Sequence, residues 1–180
     1  MKKIVLGIAT FAITVLASIP VAANTTSGKT DLNLYVANDP VYTVTVPETV
    51  QLNAEEDTSV PIQASNVKYL PEGKKISVTL EKGNGVYGRL YLEGTNEETG
   101  KEYLMTLYVK GTNGEFLSGA LEKKIKGMEL ASFTEDGTMN YELRPASLAF
   151  PGSTNDNLVI QKGVHYSGYV TYGIGLKDIA

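Results

Sequence analysis

The chain has 180 residues, 42% hydrophobic and 20% charged, with 16 Lys and Arg against 20 Asp and Glu for a formal net charge of −4, and it contains no cysteine. A disulfide framework, a Cys-ligated zinc or iron–sulfur centre and a thiol nucleophile are thereby excluded. With one histidine, His165, and no tryptophan, Ser-His-Asp catalysis would have to use that single ring, and no site can set two imidazoles on a metal.

Lys2 and Lys3 precede an uncharged apolar run over residues 4–19, then Pro20 and the small residues Val21-Ala22-Ala23. This pattern predicts a secretory signal peptide over residues 1–23, with a helical apolar segment and cleavage after Ala23. As a membrane anchor the run is short, since spanning a bilayer takes about 20 apolar residues. Cleavage removes two lysines and no acid, leaving 14 basic against 20 acidic residues and a net charge of −6. A nucleic-acid partner is therefore not expected. No further apolar segment of membrane length follows, so no membrane contact is expected after cleavage. An exported chain without cysteine fits a Gram-positive product, although neither a lipobox cysteine nor an L-P-x-T-G signal is present. Residues 24–30 are polar and read as a flexible N-terminus. Residues 31–180 are long enough for one core and read as one domain.

Turn chemistry recurs every eight to twelve residues, with β-branched and aromatic runs between, the pattern of an all-β sandwich. In the run 41–46, Tyr42, Val44 and Val46 share a face, and Pro47 closes it. Ile76, Val78 and Leu80 alternate with Ser77, Thr79 and Glu81, which predicts a half-buried strand. A hairpin is expected between 86–93 and 102–110 across a polar connector at 94–101. Its second strand, Tyr103-Leu104-Met105-Thr106-Leu107-Tyr108-Val109, is apolar on both faces and belongs in mid-sheet. Leu121, Ile125 and Met128 at helical spacing predict one short helix near 119–127, with a strand as the alternative. Met139, Tyr141 and Leu143 alternate with polar neighbours, and Leu158 and Ile160 are expected to begin a short strand. In the last strand, Tyr166, Gly168, Val170, Tyr172, Ile174 and Leu176 share one face, and its glycines would let it bend as it crosses the sandwich. The expected fold is thus an antiparallel two-sheet sandwich preceded by a signal helix.

The order of these features resembles a known group. Tyr-Thr-Val-Thr-Val-Pro-Glu-Thr-Val-Gln-Leu at 42–52, Val60-Pro61-Ile62-Gln63-Ala64, the strand at 75–80 and Gly-Val-His-Tyr-Ser-Gly-Tyr-Val-Thr-Tyr at 163–172 resemble small secreted surface domains of Gram-positive bacteria. The resemblance covers most of residues 42–176 and rests on turn and strand chemistry. It implies an immunoglobulin-like, adhesin-like or pilin-like β-sandwich at the cell surface, non-catalytic and without a cofactor. The implied partners are a cell-wall component, a glycan or a host or surface protein. The last strand also resembles that of fimbrial subunits, in which an N-terminal extension completes a neighbour's sheet. Leu32, Leu34 and Val36 alternate in that manner, which would make the chain a homo-oligomer. The plainer and preferred reading is an ordinary first strand of the same domain.

Of the reactive side chains, His165 reads as a solvated strand residue. The acid clusters 55–57, 97–98 and 135–136 read as solvated turns without an apolar pocket to raise one pKa. The loop 153–157 offers oxygen ligands but lacks the spaced carboxylates of a calcium site, and Lys123, Lys124 and Lys126 read as a wet face. Eleven tyrosines are the more informative feature. A tyrosine ring stacks on a sugar while its hydroxyl bonds to it, so Tyr87, Tyr91, Tyr108 and Tyr169, placed on the less buried faces, are the candidate residues of a carbohydrate-binding module. Tyrosine is also simply a favoured strand residue.

Overall fold

The computed structural model describes residues 2–4, 38–83, 90–120, 125–149, 154–155 and 159–179. Eleven strands are seen among them: β1 (Lys2–Ile4), β2 (Val41–Val46), β3 (Thr58–Lys68), β4 (Lys74–Gly83), β5 (Tyr91–Asn96), β6 (Glu102–Lys110), β7 (Phe116–Ser118), β8 (Glu129–Phe133), β9 (Gly137–Pro145), β10 (Val164–Ser167) and β11 (Val170–Asp178). They form two antiparallel sheets. The larger runs β1-β2-β3-β9-β6-β5-β10, with β7 also paired to β6, and the smaller runs β11-β4-β8. The architecture is the all-β sandwich expected from the periodicity.

The core lies where the alternating faces point inward. Tyr42 and Val44 on β2, Val60 and Ile62 on β3, Leu107 and Val109 on β6, and Tyr141 and Leu143 on β9 meet Ile76, Val78 and Leu80 on β4 and Leu130 on β8. Val60, Ile62, Ile76, Val78 and Leu80 are each 0% exposed, so trimming any of them to Ala is of the large-to-small class costing about 2–5 kcal/mol. β6 lies in mid-sheet, with β5 and β7 along one side and β9 along the other.

Several elements differ from expectation. β4 is covered on both faces, because Ser77 and Thr79 on its outer side are also buried. They reach carboxylates carried by the same sheet: the Ser77 hydroxyl donates to Glu129 at 2.7 Å and the Thr79 hydroxyl to Glu81 at 2.8 Å, while Lys75 pairs with Glu129 at 2.8 Å. Burial opposes ionisation of Glu129, but the bonds from Lys75 and Ser77 outweigh it and hold the carboxyl below its usual range. The hairpin strand before β6 spans Tyr91–Asn96, so Gly94 and Thr95 belong to the ladder and the connector is shorter. The last strand is divided. β10 pairs with β5 in the larger sheet and β11 with β4 in the smaller, so the chain crosses the sandwich at Gly168-Tyr169. Val159 and Ile160 are not in a strand; one helical turn, Ala146–Ala149, follows β9 instead. Of the helix sought near 119–127, Ile125 is helical and fully buried, and residues 121–124 lie outside the described residues.

At the N-terminus, Lys2–Ile4 pair as a strand with Val46, Thr45 and Val44 of β2. Residues 5–23, where the sequence predicts a signal helix, and residues 24–37, which include Leu32, Leu34 and Val36, lie outside the described residues.

The acid-rich turns are exposed, and the carboxylate of one, Asp136, bonds to a distant backbone amide. In the β2–β3 pairing the register slips beside Asn66, which takes φ 56, a left-handed conformation that Asn tolerates better than most residues. The neighbouring Val67 amide donates to Asp136 Oδ1 at 2.7 Å, from the turn joining β8 to β9. One carboxylate thus takes up an amide beside a bulge in a different strand pair.

Candidate binding groove

A groove of about 560 Å³ opens at the end of the sandwich where β10 gives way to β11. Residues 47–54 form one wall and 165–170 the other; Leu92, Met105, Leu107 and Leu143 lie in its floor with Tyr141 and Tyr172. Both walls are runs of consecutive residues. Side chains of an extended chain alternate between two faces, so a consecutive run borders a groove with its backbone as well as with its side chains. In the first wall, Val50 and Leu52 are half-buried against the core, while Gln51 and Asn53 are exposed. That is strand-like alternation in a segment that joins no ladder.

Each wall is held in place by its neighbours. Asp57, three residues beyond the first wall, accepts two bonds of 2.7 Å from the Arg144 guanidinium on β9. Arg144 sits 3.9 Å from the Phe116 ring centroid, and Lys110, bonded to Glu142 at 2.9 Å, lies over the same ring at 5.3 Å. The Arg144 bond holds the Asp57 carboxyl below its usual range, and the same bond raises the guanidinium further. Within the wall, the Asn53 amide donates to the Thr58 hydroxyl at 2.9 Å and the Glu55 amide to Asn53 Oδ1 at 2.9 Å. On the other side, β10 lies so close to β5 that a Cβ at Gly94 would sit 2.6 Å from Val164 Cγ1 and 2.8 Å from the His165 carbonyl oxygen. Gly94 is what permits that approach. The Gln161 amide donates to the Tyr166 hydroxyl at 3.2 Å.

In the floor, the Tyr141 and Tyr172 hydroxyls are 2.7 Å apart, and the rings meet edge to face at 6.2 Å between centroids. Burial pushes both phenols above their ordinary pKa, Tyr141 furthest. At neutral pH these hydroxyls therefore keep their protons. Of the charged residue types, only Glu48 and His165 are seen among the described lining residues. His165 is exposed, and among the described residues no carboxylate is bonded to its ring. Among the described residues, no group of three or more His, Asp or Glu side chains is placed to share a metal ion. The arrangement suits a ligand that is uncharged, apolar in part and able to hydrogen-bond.

The structure does not gather the four tyrosines named from the sequence. Tyr169, 49% exposed, stands on the groove wall. Tyr91 and Tyr108 are half-buried on the outer face of the larger sheet, opposite Met105, Leu107 and Val109, and Tyr87 lies outside the described residues. Sequence reasoning missed Tyr141, Tyr166 and Tyr172 because strand alternation assigned them to core faces. The signal that would have found them is chemical: a tyrosine on a core face needs a partner for its hydroxyl, and polar partners concentrate at a gap in the core. Thr154 and Asn155 of the oxygen-rich loop are exposed, as is Lys126, while Lys123 and Lys124 lie outside the described residues. No family model matches the chain, and comparison with characterised proteins and with solved structures finds no relative.

Proposed function

We propose that the chain is an exported, non-catalytic binding domain that acts at the surface of a Gram-positive bacterium, with the groove as the place where it engages its ligand. The observation that carries this reading is the groove itself, in which two chain segments flank a largely apolar floor that holds two hydrogen-bonded phenols. The leader motif at residues 1–23 supports export, with cleavage after Ala23. The non-catalytic reading is supported by the resemblance to surface domains and by the two phenols of the floor, whose hydroxyls are bonded to each other.

A glycan is the second reading, favoured by the position of Tyr169. Its ring stands half-exposed on the groove wall, where a sugar face would stack.

The test is binding of the exported protein to the envelope fraction of the bacterium that encodes it, with its N-terminus read by mass spectrometry. Saturable binding that weakens about fivefold or more in Tyr169→Ala, with Asn24 as the first residue, is the expected result. Retention in the cytoplasm starting at Met1, or binding indifferent to Tyr169→Ala and to Leu52→Asp, would overturn the proposal.

A further inference from the structure

We infer that the groove accepts an extended, uncharged peptide segment of a partner protein, which adds as a strand along the free edge of β10. The inference rests on the reading of the groove as the binding site and names its ligand class.

Three observations lead there. β10 ends the strand order of the larger sheet, and among the described residues it pairs with β5 on one side only, with no backbone partner on its other edge. Such an edge is a template for another strand. His165, Tyr166 and Ser167 of β10, and residues 168–170 after it, line the groove, which brings that strand's backbone to it. Across the groove, among the described residues, none supplies a backbone hydrogen bond to Thr49, Val50, Gln51 or Leu52. Residues 49–53 nonetheless run without a turn or bend and alternate in exposure as a strand does. An incoming strand would therefore meet unpaired backbone on both sides, and backbone pairing on one or both edges is how strand addition gains affinity. One short strand of four residues limits indiscriminate pairing.

The chemistry of the occupant follows from the lining. No lysine or arginine lines the groove among the described residues, and Glu48 and His165 alone supply charged residue types. A charged side chain carried onto the apolar part of the floor, at Leu92, Met105 and Leu107, would lose water without gaining a partner. Side chains facing the floor of Leu92, Met105 and Leu107 would be small and apolar, and the opposite side chains would face solvent.

The experiment uses the full chain and a synthetic probe, acetyl-Thr-Val-Thr-Val-Thr-Val-amide, with amide hydrogen exchange read residue by residue. The expected result is slowed exchange in residues 49–52 and 164–169. A probe N-methylated at alternate residues, which cannot form the ladder, is expected to bind about tenfold more weakly or worse, the equivalent of one lost hydrogen bond. A probe with Glu in place of Val should bind more weakly still. Equal binding of the N-methylated probe, protection elsewhere in the chain, or no binding up to about 1 mM would overturn the inference. So would protection of the same amides by self-association of the chain without probe. If the probe fails while Tyr169→Ala still weakens envelope binding, the groove reading stands and the strand inference falls.

Discussion

The Tyr141 hydroxyl on β9 and the Tyr172 hydroxyl on β11 lie 2.7 Å apart and form a polar link between the two sheets at the floor of the groove. Tyr141 is 1% exposed, so its hydroxyl could not be buried there without a partner except at a cost of about 1–3 kcal/mol. The pair ties one sheet to the other among the residues that line the groove.

The two phenols make stability fall at alkaline pH. Their folded pKa values are raised above the unfolded value near 10, so their contribution is complete below about pH 10 and declines as pH rises beyond it. Tyrosinate absorbance should show these two hydroxyls resisting titration until the chain unfolds. Tyr141→Phe should lose about 1 kcal/mol at neutral pH and show a shallower alkaline decline. An unchanged alkaline profile in that variant would contradict the assignment.

Asp57 and Arg144 make the opposite dependence at acid pH. The folded Asp57 carboxyl is held below its ordinary pKa by the Arg144 bond, so its stabilisation is present above about pH 4 and lost as pH falls through the folded value. The pair is partly exposed, 33% and 31% by side chain, which limits it to about 0.5–1 kcal/mol. Asp57→Asn should lower the urea midpoint at pH 7. The gap to the parent should close below about pH 4.

Gly94 makes a steric prediction. The methyl group of Gly94→Ala meets the His165 carbonyl oxygen, which is backbone and cannot swing aside. β10 must move away from β5, and amide exchange in β10 should accelerate while the β3–β9 ladder stays protected. Unchanged exchange in β10 would show that the wall yields more easily than its geometry implies.

Tyr69 is a non-glycine residue at φ 57 with its ring 57% exposed. The left-handed conformation costs an L-residue about 1–2 kcal/mol, and little packing is lost on trimming an exposed ring. Tyr69→Gly should therefore be stabilising by about 0.5–1 kcal/mol, measured as a higher urea midpoint. A drop in stability would mean that the ring packs against the chain more than its exposure indicates.

Local periodicity carried the strands and their core faces: the alternation of Tyr42 and Val44, of Ile76, Val78 and Leu80, and of Tyr141 and Leu143 was readable because each inward residue is one period from the next. The groove was not, because it depends on where strands stop pairing. Val50 and Leu52 alternate like strand residues yet join no ladder among the described residues. The passage of the chain from one sheet to the other at Gly168-Tyr169 was legible as a bend, but only the register of β10 against β5 shows which edge it leaves open. Likewise, Asp57 and Asp136 are exposed turn residues, but their partners, Arg144 and the Val67 amide, were not legible because they are 87 and 69 residues away in the chain.

The most direct measurement is photo-crosslinking from the groove on living cells. A benzophenone amino acid placed at Tyr169 should capture an envelope component, while the same group at Leu104, exposed on the outer face of the larger sheet, should not. Capture from position 104 with none from position 169 would contradict the claim that the groove is the binding site.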